Sequence, residues 1–562
     1  MKKLHLLLLT AVSSMAIVAC STPSTSSTNS TSAPASSSSS SSSSTFSINW
    51  DGKTNEDFEY AATTYLDGGE EKPLTINTIY RNQNAPHLDS LIEQRVLVVP
   101  FGFTDASLQE VQTQENLDRI ETTFFGKPGD VASNGWYSLQ TFYQQSSYGK
   151  VKFEGKMIPN WCVFNGTSNQ FNAGGVAAAT YARNWYTTEY AKPDHGLLGA
   201  AAEPLTYFDQ DQDGFIDLIW IVYSHPIVAD TDWWAYVTYT SNSANKTVPQ
   251  VKTLGWASIG FMDKGFAGYD AHTFIHETGH TYGLADYYDY THSWSPMGGV
   301  DFMDHNLGDH CMYSKFTLGW TAPLVVDDTA LITLRPGTTT GDCFIIPSPG
   351  YNGTAFDEYM MVELMAPVGL AEFDYKNGYE GTAGYSQAGI RITHVDSRVF
   401  SGQWDIKDTS NPQNGKDLRI GNTKGGRAGV GYDSDYWPHK NDKGQEEKEY
   451  FTHINIMESD YDIEQNWKTV STFNASNKTL FKKNHTFDLD PTVEDGWAEL
   501  FMPSRSNLWN KAKYNSNRTG TTIKEITVDE TCTFNYEIQI VNIVPDAEYG
   551  YIAYVKVLAD RY

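Results

Sequence analysis

The feature that most constrains this chain is the sequence His276-Glu277-Thr278-Gly279-His280, in which two histidines stand four positions apart. On an α-helix, residues at this spacing lie on one face, so both imidazoles can reach one metal ion. Two histidines suit Zn²⁺ and leave room for a third ligand and a water molecule. The glutamate lies beside that water and can take its proton. The motif therefore predicts a helix with a catalytic zinc site, His276 and His280 as ligands and Glu277 as general base.

The residues that follow the motif indicate how the site is completed. Gly283 can take a left-handed conformation and turn the chain sharply after the helix. That turn would bring Asp286 back toward the histidines as the third zinc ligand. The alternatives for this ligand are Asp289, His292 or a more distant carboxylate.

The extended pattern, followed by a methionine turn, resembles the metzincins. Met297, in SPMGG, matches the methionine of that turn, with its side chain under the zinc ligands, and Met303 is a weaker candidate. More closely, HETGHTYGLADYYD, SPMGG and KFTLGW resemble the immune inhibitor A family of secreted bacterial zinc metallopeptidases. Further matches spread this resemblance over roughly residues 95–460: SLQTFYQQSSYGKV, DQDQDGFIDLIWIV, GIRITHVD and HINIMESD.

The resemblance implies an α+β, zincin-type (metzincin-like) catalytic domain and endopeptidase activity on extracellular proteins or peptides. Two positions depart from the family's pattern. Ala285 stands where the family usually has proline, which affects the turn but keeps the aspartate. No tyrosine closely follows Met297, so the group that would stabilise the oxyanion is unassigned. Its candidates are Tyr313, His305 and His310.

A second metal-binding pattern occurs at residues 209–217, which read DQDQDGFID. Carboxylates at alternating positions, with Gly214 at the sixth, match the first part of an EF-hand-type calcium loop. The predicted Ca²⁺ ligands are Asp209, Asp211, Asp213 and Asp217. The twelfth position is Trp220 and not glutamate, so a further carboxylate must come from elsewhere. The family resemblance also implies calcium here, bracing the strand that follows; the alternative is an acidic, solvated turn.

The N-terminus has the pattern of a bacterial lipoprotein. Residues 1–20 combine two lysines, a short apolar stretch and Ile-Val-Ala-Cys, which resembles a lipobox and implies a lipid on Cys20. The alternative is an ordinary signal peptide in which this cysteine is incidental. Residues 21–45 are rich in serine and threonine, which favours a flexible tether. We therefore expect a protein outside the cytoplasm whose N-terminal lipid is its only membrane anchor.

Length and patterning predict the remaining organisation. A chain of 562 residues is too long for one hydrophobic core. Residues 46–92 are expected to be an N-terminal segment or pro-segment, and residues 93–325 the catalytic domain. Residues 326–562 contain short alternating segments between Gly, Asn, Pro and Asp clusters, which predicts all-β, sandwich-like domains. The net charge of −28 speaks against nucleic-acid binding.

Four segments of the catalytic region have a clear secondary-structure pattern. Apolar runs at 95–104 and 217–225 predict buried strands, residues 138–155 predict a helix that passes into a strand, and residues 176–195 predict a helix.

Two other functional classes stay open. One is a catalytically silent surface adhesin with a structural metal site, which the intact Glu277 disfavours. The other is a solute-binding lipoprotein, which the β-rich C-terminal half disfavours.

Overall fold

The computed structural model describes most of the chain after residue 51, and residues 51–562 form one compact unit. The described residues are 48, 50, 52–79, 88–127, 136–171, 173–229, 231–264, 269–288, 295–348, 350–397, 453–459, 475–488 and 534–559. For four short strands, 399–400, 419–420, 438–440 and 446–448, only the backbone is described. The predicted signal peptide, Cys20 and the tether lie outside the described residues, as do Asp289 and His292.

The first sheet is mostly parallel, and its three central strands are buried on both faces. Its strands, in spatial order, are Lys152–Met157, Glu93–Gly102, Leu218–Tyr223, Thr253–Ser258 and Tyr236–Tyr239, and Cys162–Val163 extends one edge. The strand Tyr236–Tyr239 runs antiparallel to its neighbour, whereas the other pairs are parallel. Parallel strands covered on both faces need continuous apolar runs, which explains the patterns at 95–104 and 217–225. Both predicted strands are confirmed.

Helices cover the two faces of this sheet. Gly174–Tyr190 packs on one face, and its alanines form an apolar core with alternate residues of the strands. The helices Gln114–Phe125, Leu139–Ser146 and His272–Thr281 share a core with the opposite face. The predicted helix–strand passage at 138–155 is confirmed, since the Ser138 hydroxyl caps the helix and a strand begins at residue 152. The helix predicted for 176–195 is also present, but it ends at Tyr190.

Two sheets form the C-terminal half. The strands of the five-stranded sheet are, in spatial order, Leu324–Val325, Phe344–Pro347, Glu358–Met365, Gly389–Asp396 and Ile454–Met457. Those of the four-stranded sheet are Ala330–Leu334, Gly550–Ala559, Tyr536–Asp546 and Thr486–Asp488. Alternate residues of both sheets meet in one apolar core, because successive side chains of a strand point to opposite faces. This arrangement is sandwich-like.

The C-terminal half is β-rich but not purely β. The short helices Gly337–Thr340 and Ala371–Asn377 interrupt it. The second of these forms because Ala371 and Tyr375, four positions apart, bury one face against the rest of the protein. The structure is compatible with the predicted β-rich, sandwich-like half, with these two short helices between its strands.

A single apolar core also crosses the predicted boundary at residue 325. It contains residues of the first sheet, of the His272–Thr281 helix and of the five-stranded sheet, together with Leu74 and Ile76. Residues 52–79 therefore pack into the fold, and Ala62 pairs with Thr354 in an isolated bridge. The predicted domain boundaries and the removal of a pro-segment stay predictions.

Shorter elements complete the described structure. They are the helices Ile76–Ile79, Ala106–Gln109, Phe302–His305 and Met312–Thr317, and the strand pairs Thr64–Asp67 with Glu70–Pro73 and Phe215–Ile216 with Gln250–Val251. Among the described residues, none of the helices has the length and apolar character needed to cross a membrane.

Candidate metal centre

The residues of the histidine motif form the helix His272–Thr281, as their spacing predicts, and this helix lies against the first sheet. The Trp220 indole nitrogen, on a central strand, donates a hydrogen bond to Thr278 Oγ1 at 3.2 Å. Phe274 packs against the same indole with ring centroids 5.3 Å apart. On the other side, the Tyr143 hydroxyl donates to the carbonyl of Ile275 at 2.7 Å. These contacts fix the rotation of the helix about its axis. They therefore decide the direction in which the face with His276 and His280 points.

The chain turns back immediately after this helix. Gly283 has a φ of +95°, which favours glycine and confirms the predicted left-handed turn. The amides of Gly283 and Leu284 donate to the carbonyls of His280 and Gly279, which closes the helix end. The chain makes this turn with alanine at position 285.

The turn brings Asp286 to the two histidines. The Asp286 Oδ1 atom lies 2.7 Å from His276 Nε2 and 3.3 Å from His280 Nε2. Each of the three residues offers one ligand atom, and these three atoms lie within 4.8 Å of one another. Two imidazole nitrogens and one carboxylate oxygen are a donor set that zinc binds in catalytic sites. The structure therefore assembles the three predicted ligands.

The hydrogen bonds behind the histidines set their ring orientation. His276 Nδ1 lies 2.9 Å from the carbonyl oxygen of Phe302, and His280 Nδ1 lies 2.8 Å from that of Leu284. A carbonyl only accepts, so each Nδ1 carries a hydrogen and donates it. Each Nε2 can then present a lone pair to a metal, an arrangement typical of metal-binding histidines. This chemistry of the donor set fits zinc.

The three ligands also form a compact charge cluster. Burial alone would lower the pKa of His280, but Asp286 and Glu277 outweigh it and raise the pKa to about 9. Burial opposes ionisation of Asp286, yet the two histidines hold its pKa well below its usual range. Without a metal, protons on the imidazoles neutralise the carboxylate. Metal binding would displace these protons, because histidine ligands bind in the neutral form.

Glu277 lies beside the ligands and at the edge strand of the first sheet. Burial raises the pKa of this glutamate, whereas His280, His276 and the nearby Val237 amide of that strand oppose the rise. The Tyr239 hydroxyl, two residues further along the strand, lies 3.4 Å from the His280 carbonyl. The carboxylate is therefore held next to the ligands without being one of the three converging donors.

Met297 and Met303, the two candidates for the methionine turn, have different surroundings. Met297 is buried in a tight turn, where its amide donates to Asp304 Oδ2 at 3.0 Å. Met303 packs under the helix, since a Cβ added at Gly279 would lie 2.7 Å from its sulfur. The assignment of Met297 to the methionine turn stays a prediction.

The three candidates for stabilising the oxyanion have different environments. Tyr313 is buried with its hydroxyl 2.5 Å from His453 Nε2. His310 is fully buried among aromatic rings, and burial holds its pKa well below the usual range. His305 ends the short helix whose Phe302 carbonyl accepts the hydrogen bond from His276.

The acidic loop at 209–217 gathers three of the four predicted calcium ligands. Oxygens of Asp209, Asp211 and Asp217 lie within 4.8 Å of one another, whereas Asp213 falls outside this group. The Asp213 carboxylate instead accepts a hydrogen bond from the amide of Phe215 at 2.8 Å, within its own turn. Gly214 has a φ of +94°, which confirms the predicted tight turn.

Two further observations bear on a cation in this loop. Asp209 is 4% exposed, and its Oδ1 atom has no hydrogen-bond partner among the described residues. Asp89 lines the same cavity as Asp211, Asp213 and Asp217, but its oxygens do not belong to the group within 4.8 Å of one another. Sequence reasoning did not find Asp89, because 120 residues of chain separate it from Asp209 and it belongs to no local pattern.

Comparison of the sequence with protein-family models and with curated proteins gave no match. The functional assignment therefore rests on the quoted motifs and on the geometry of the site.

Proposed function

We propose that this protein is an extracellular zinc-dependent endopeptidase. The observation that carries the proposal is the convergence of His276 Nε2, His280 Nε2 and an Asp286 oxygen, with both Nδ1 atoms held by backbone carbonyls. A structural zinc site would need a fourth protein ligand. Among the described residues the cluster has three, and a half-buried glutamate stands beside them.

The surrounding architecture supports a zincin-type domain. The motif helix lies under a mostly parallel sheet whose antiparallel edge strand, Tyr236–Tyr239, packs against this helix with the Val237 amide near Glu277. An edge strand can pair with an extended peptide through backbone hydrogen bonds. A polypeptide bound along this strand would pass beside Glu277, which favours a protein or peptide substrate.

The mechanism follows from the position of Glu277. A bound zinc ion would act as a Lewis acid toward a carbonyl oxygen and lower the pKa of a water molecule. His276, His280 and Asp286 would hold that ion. Glu277 takes the proton of the attacking water and delivers it to the leaving amine nitrogen as the peptide bond breaks.

We also propose a structural calcium ion in the 209–217 loop and a lipid on Cys20. The calcium would offset the mutual repulsion of Asp209, Asp211 and Asp217, directly before the central strand Leu218–Tyr223. Trp220 of that strand contacts the motif helix, so calcium would stabilise the zinc site indirectly. The lipid would hold the enzyme at the outer face of the bacterial cell membrane.

The Glu277→Ala variant tests the proposed function. We expect the wild-type ectodomain to cleave casein and to lose this activity when a zinc chelator is added. Glu277→Ala should lose cleavage but retain about one zinc per chain, because this residue is a base and not a ligand. Glu115→Ala, an exposed glutamate on the Gln114–Phe125 helix, is the matched control.

Three results would contradict the assignment. An active Glu277→Ala variant would show that the base lies elsewhere. A Glu277→Ala variant that lost its zinc together with its activity would identify Glu277 as a ligand. A wild type that bound zinc without cleaving any peptide would favour the alternative of a catalytically silent surface adhesin.

A further inference from the structure

The third histidine of the motif helix, His272, has an unusual environment. His272 is the first residue of the helix His272–Thr281 and stands one turn before His276. It is 4% exposed, and both of its ring nitrogens have carboxylate partners. Nδ1 lies 2.7 Å from Asp270 Oδ1, and Nε2 lies 3.1 Å from Asp374 Oδ2.

Aromatic rings cover both faces of this imidazole. The Trp136 ring stacks on it with centroids 4.1 Å apart and planes inclined by 11°. The Tyr379 ring stacks on it at 4.0 Å and 16°. A ring that donates from both nitrogens to carboxylates is protonated, and aromatic faces attract a cation. Burial alone would lower the pKa of His272, but Asp270 and Asp374 outweigh it and raise the pKa to about 10.

The same carboxylate connects His272 to the backbone behind His276. Asp374 Oδ2 accepts a hydrogen bond from the Gly308 amide at 2.7 Å. Gly308 ends the segment that begins at Phe302, whose carbonyl oxygen lies 2.9 Å from His276 Nδ1. The Phe302 ring is also parallel to that of His272, with planes inclined by 5° and centroids 5.7 Å apart.

We propose that His272 is a positioning residue for His276, because it fastens the start of the motif helix to the segment that orients the His276 ring. This proposal rests on the proposed function, since it assumes that His276 binds zinc. It also gives the C-terminal half a direct part in the site, because Asp374 and Tyr379 lie beyond residue 326. A separable binding module would have no such part.

The test uses two single variants of the full chain, His272→Gln and Asp374→Asn. Each removes one charge of the pair and keeps a side chain of similar size. His195→Gln is the matched control, because His195 also stacks on an aromatic ring, Tyr190, at 4.0 Å. Zinc affinity is measured by competition with a chelator of known affinity, and kcat and KM are measured with a peptide substrate at saturating zinc.

We expect each variant to weaken zinc binding about tenfold, the lower end of the range for residues behind a metal ligand. At saturating zinc, kcat should fall while KM stays within about twofold. The double variant should lose less than the product of the single effects, because both changes break one interaction. His195→Gln should keep the wild-type zinc affinity.

A purely structural role gives a different result. It would lower the melting temperature of both variants and leave the zinc affinity of the folded protein unchanged, and this outcome would overturn the proposal. If His272→Gln does not fold, Asp374→Asn decides alone by the same criterion. Loss of the proposed function would be seen separately, as a wild type that binds zinc but cleaves nothing.

Discussion

The contact between Trp220 and the motif helix leads to a quantitative prediction for Gly255→Ala. Gly255 lies on the strand Thr253–Ser258, next to the strand that carries Trp220. A Cβ added at Gly255 would lie 2.5 Å from Cδ2 and Cε2 of the indole. Ordinary carbon–carbon contacts are about 3.5–4.0 Å, so the ring must move by roughly 1 Å. Such a shift would break its 3.2 Å hydrogen bond to Thr278.

The expected cost has two parts. Overpacking a buried site costs about 1–3 kcal/mol, and the lost hydrogen bond about 1 kcal/mol more. For a cooperative unit of this size, a total of roughly 2–4 kcal/mol corresponds to a fall in melting temperature of about 2–4 °C, because the entropy of unfolding grows with chain length. Thr278 stands between His276 and His280, the two proposed zinc ligands, so we expect zinc affinity to fall as well. Scanning calorimetry and chelator competition measure the two effects.

Two other variants control this prediction. Gly260→Ala adds the same methyl group where the nearest atoms are 3.3 Å away, and it should change the melting temperature much less. Trp220→Phe removes the indole donor without adding a methyl group, so it tests the loss of the hydrogen bond with the smaller ring in place. A Gly255→Ala protein that melted like the wild type and bound zinc normally would refute the coupling between this sheet and the site.

Three further predictions concern charge and anchoring. The pKa of His272 is about 10 in the folded protein against 6.5 in the unfolded chain. The ion pairs of His272 therefore stabilise the folded state fully below pH 6.5, and this stabilisation is lost as pH rises through 10. Melting temperature should therefore fall over this range by less in His272→Gln than in the wild type, and equal slopes would contradict the pairing. Calcium should raise the melting temperature, and the double variant Asp209→Asn with Asp211→Asn should remove that rise without releasing zinc. The control Asp118→Asn, at an exposed position, should keep the rise. A calcium response that persisted in the double variant would place the ion elsewhere. Cys20→Ala should release the protein from the membrane fraction or leave an uncleaved precursor, and unchanged detergent partitioning of a processed protein would exclude the lipid.

Several features of the site were predictable because they are encoded within a few residues of one another. His276 and His280 share a helix face by spacing alone, and Gly283 makes the turn that returns Asp286 after only ten residues. The acidic loop and its Gly214 turn follow the same logic. Apolar runs predicted the central strands, because a strand buried on both faces has no polar side.

Other features follow from the order in which strands and helices pack. The Val237 amide reaches Glu277 because Tyr236–Tyr239 is added antiparallel at the sheet edge, which no local pattern specifies. Asp374 meets His272 across 102 residues of chain. Asp213 likewise stays apart from the other three carboxylates because its side chain accepts a hydrogen bond from the Phe215 amide, which only the folded turn presents.

The sequence by itself predicted the candidate zinc ligands, the candidate base, the acidic loop and the main strands, because spacing and periodicity act between residues that are close along the chain. Only the tertiary structure decided which backbone carbonyls orient the histidines and which distant residues hold the motif helix in place. It also decided that the C-terminal half shares one core with the site. The physical reason is that burial energy is non-directional and specifies that residues are covered, whereas the partner that covers them depends on the packing of the whole fold.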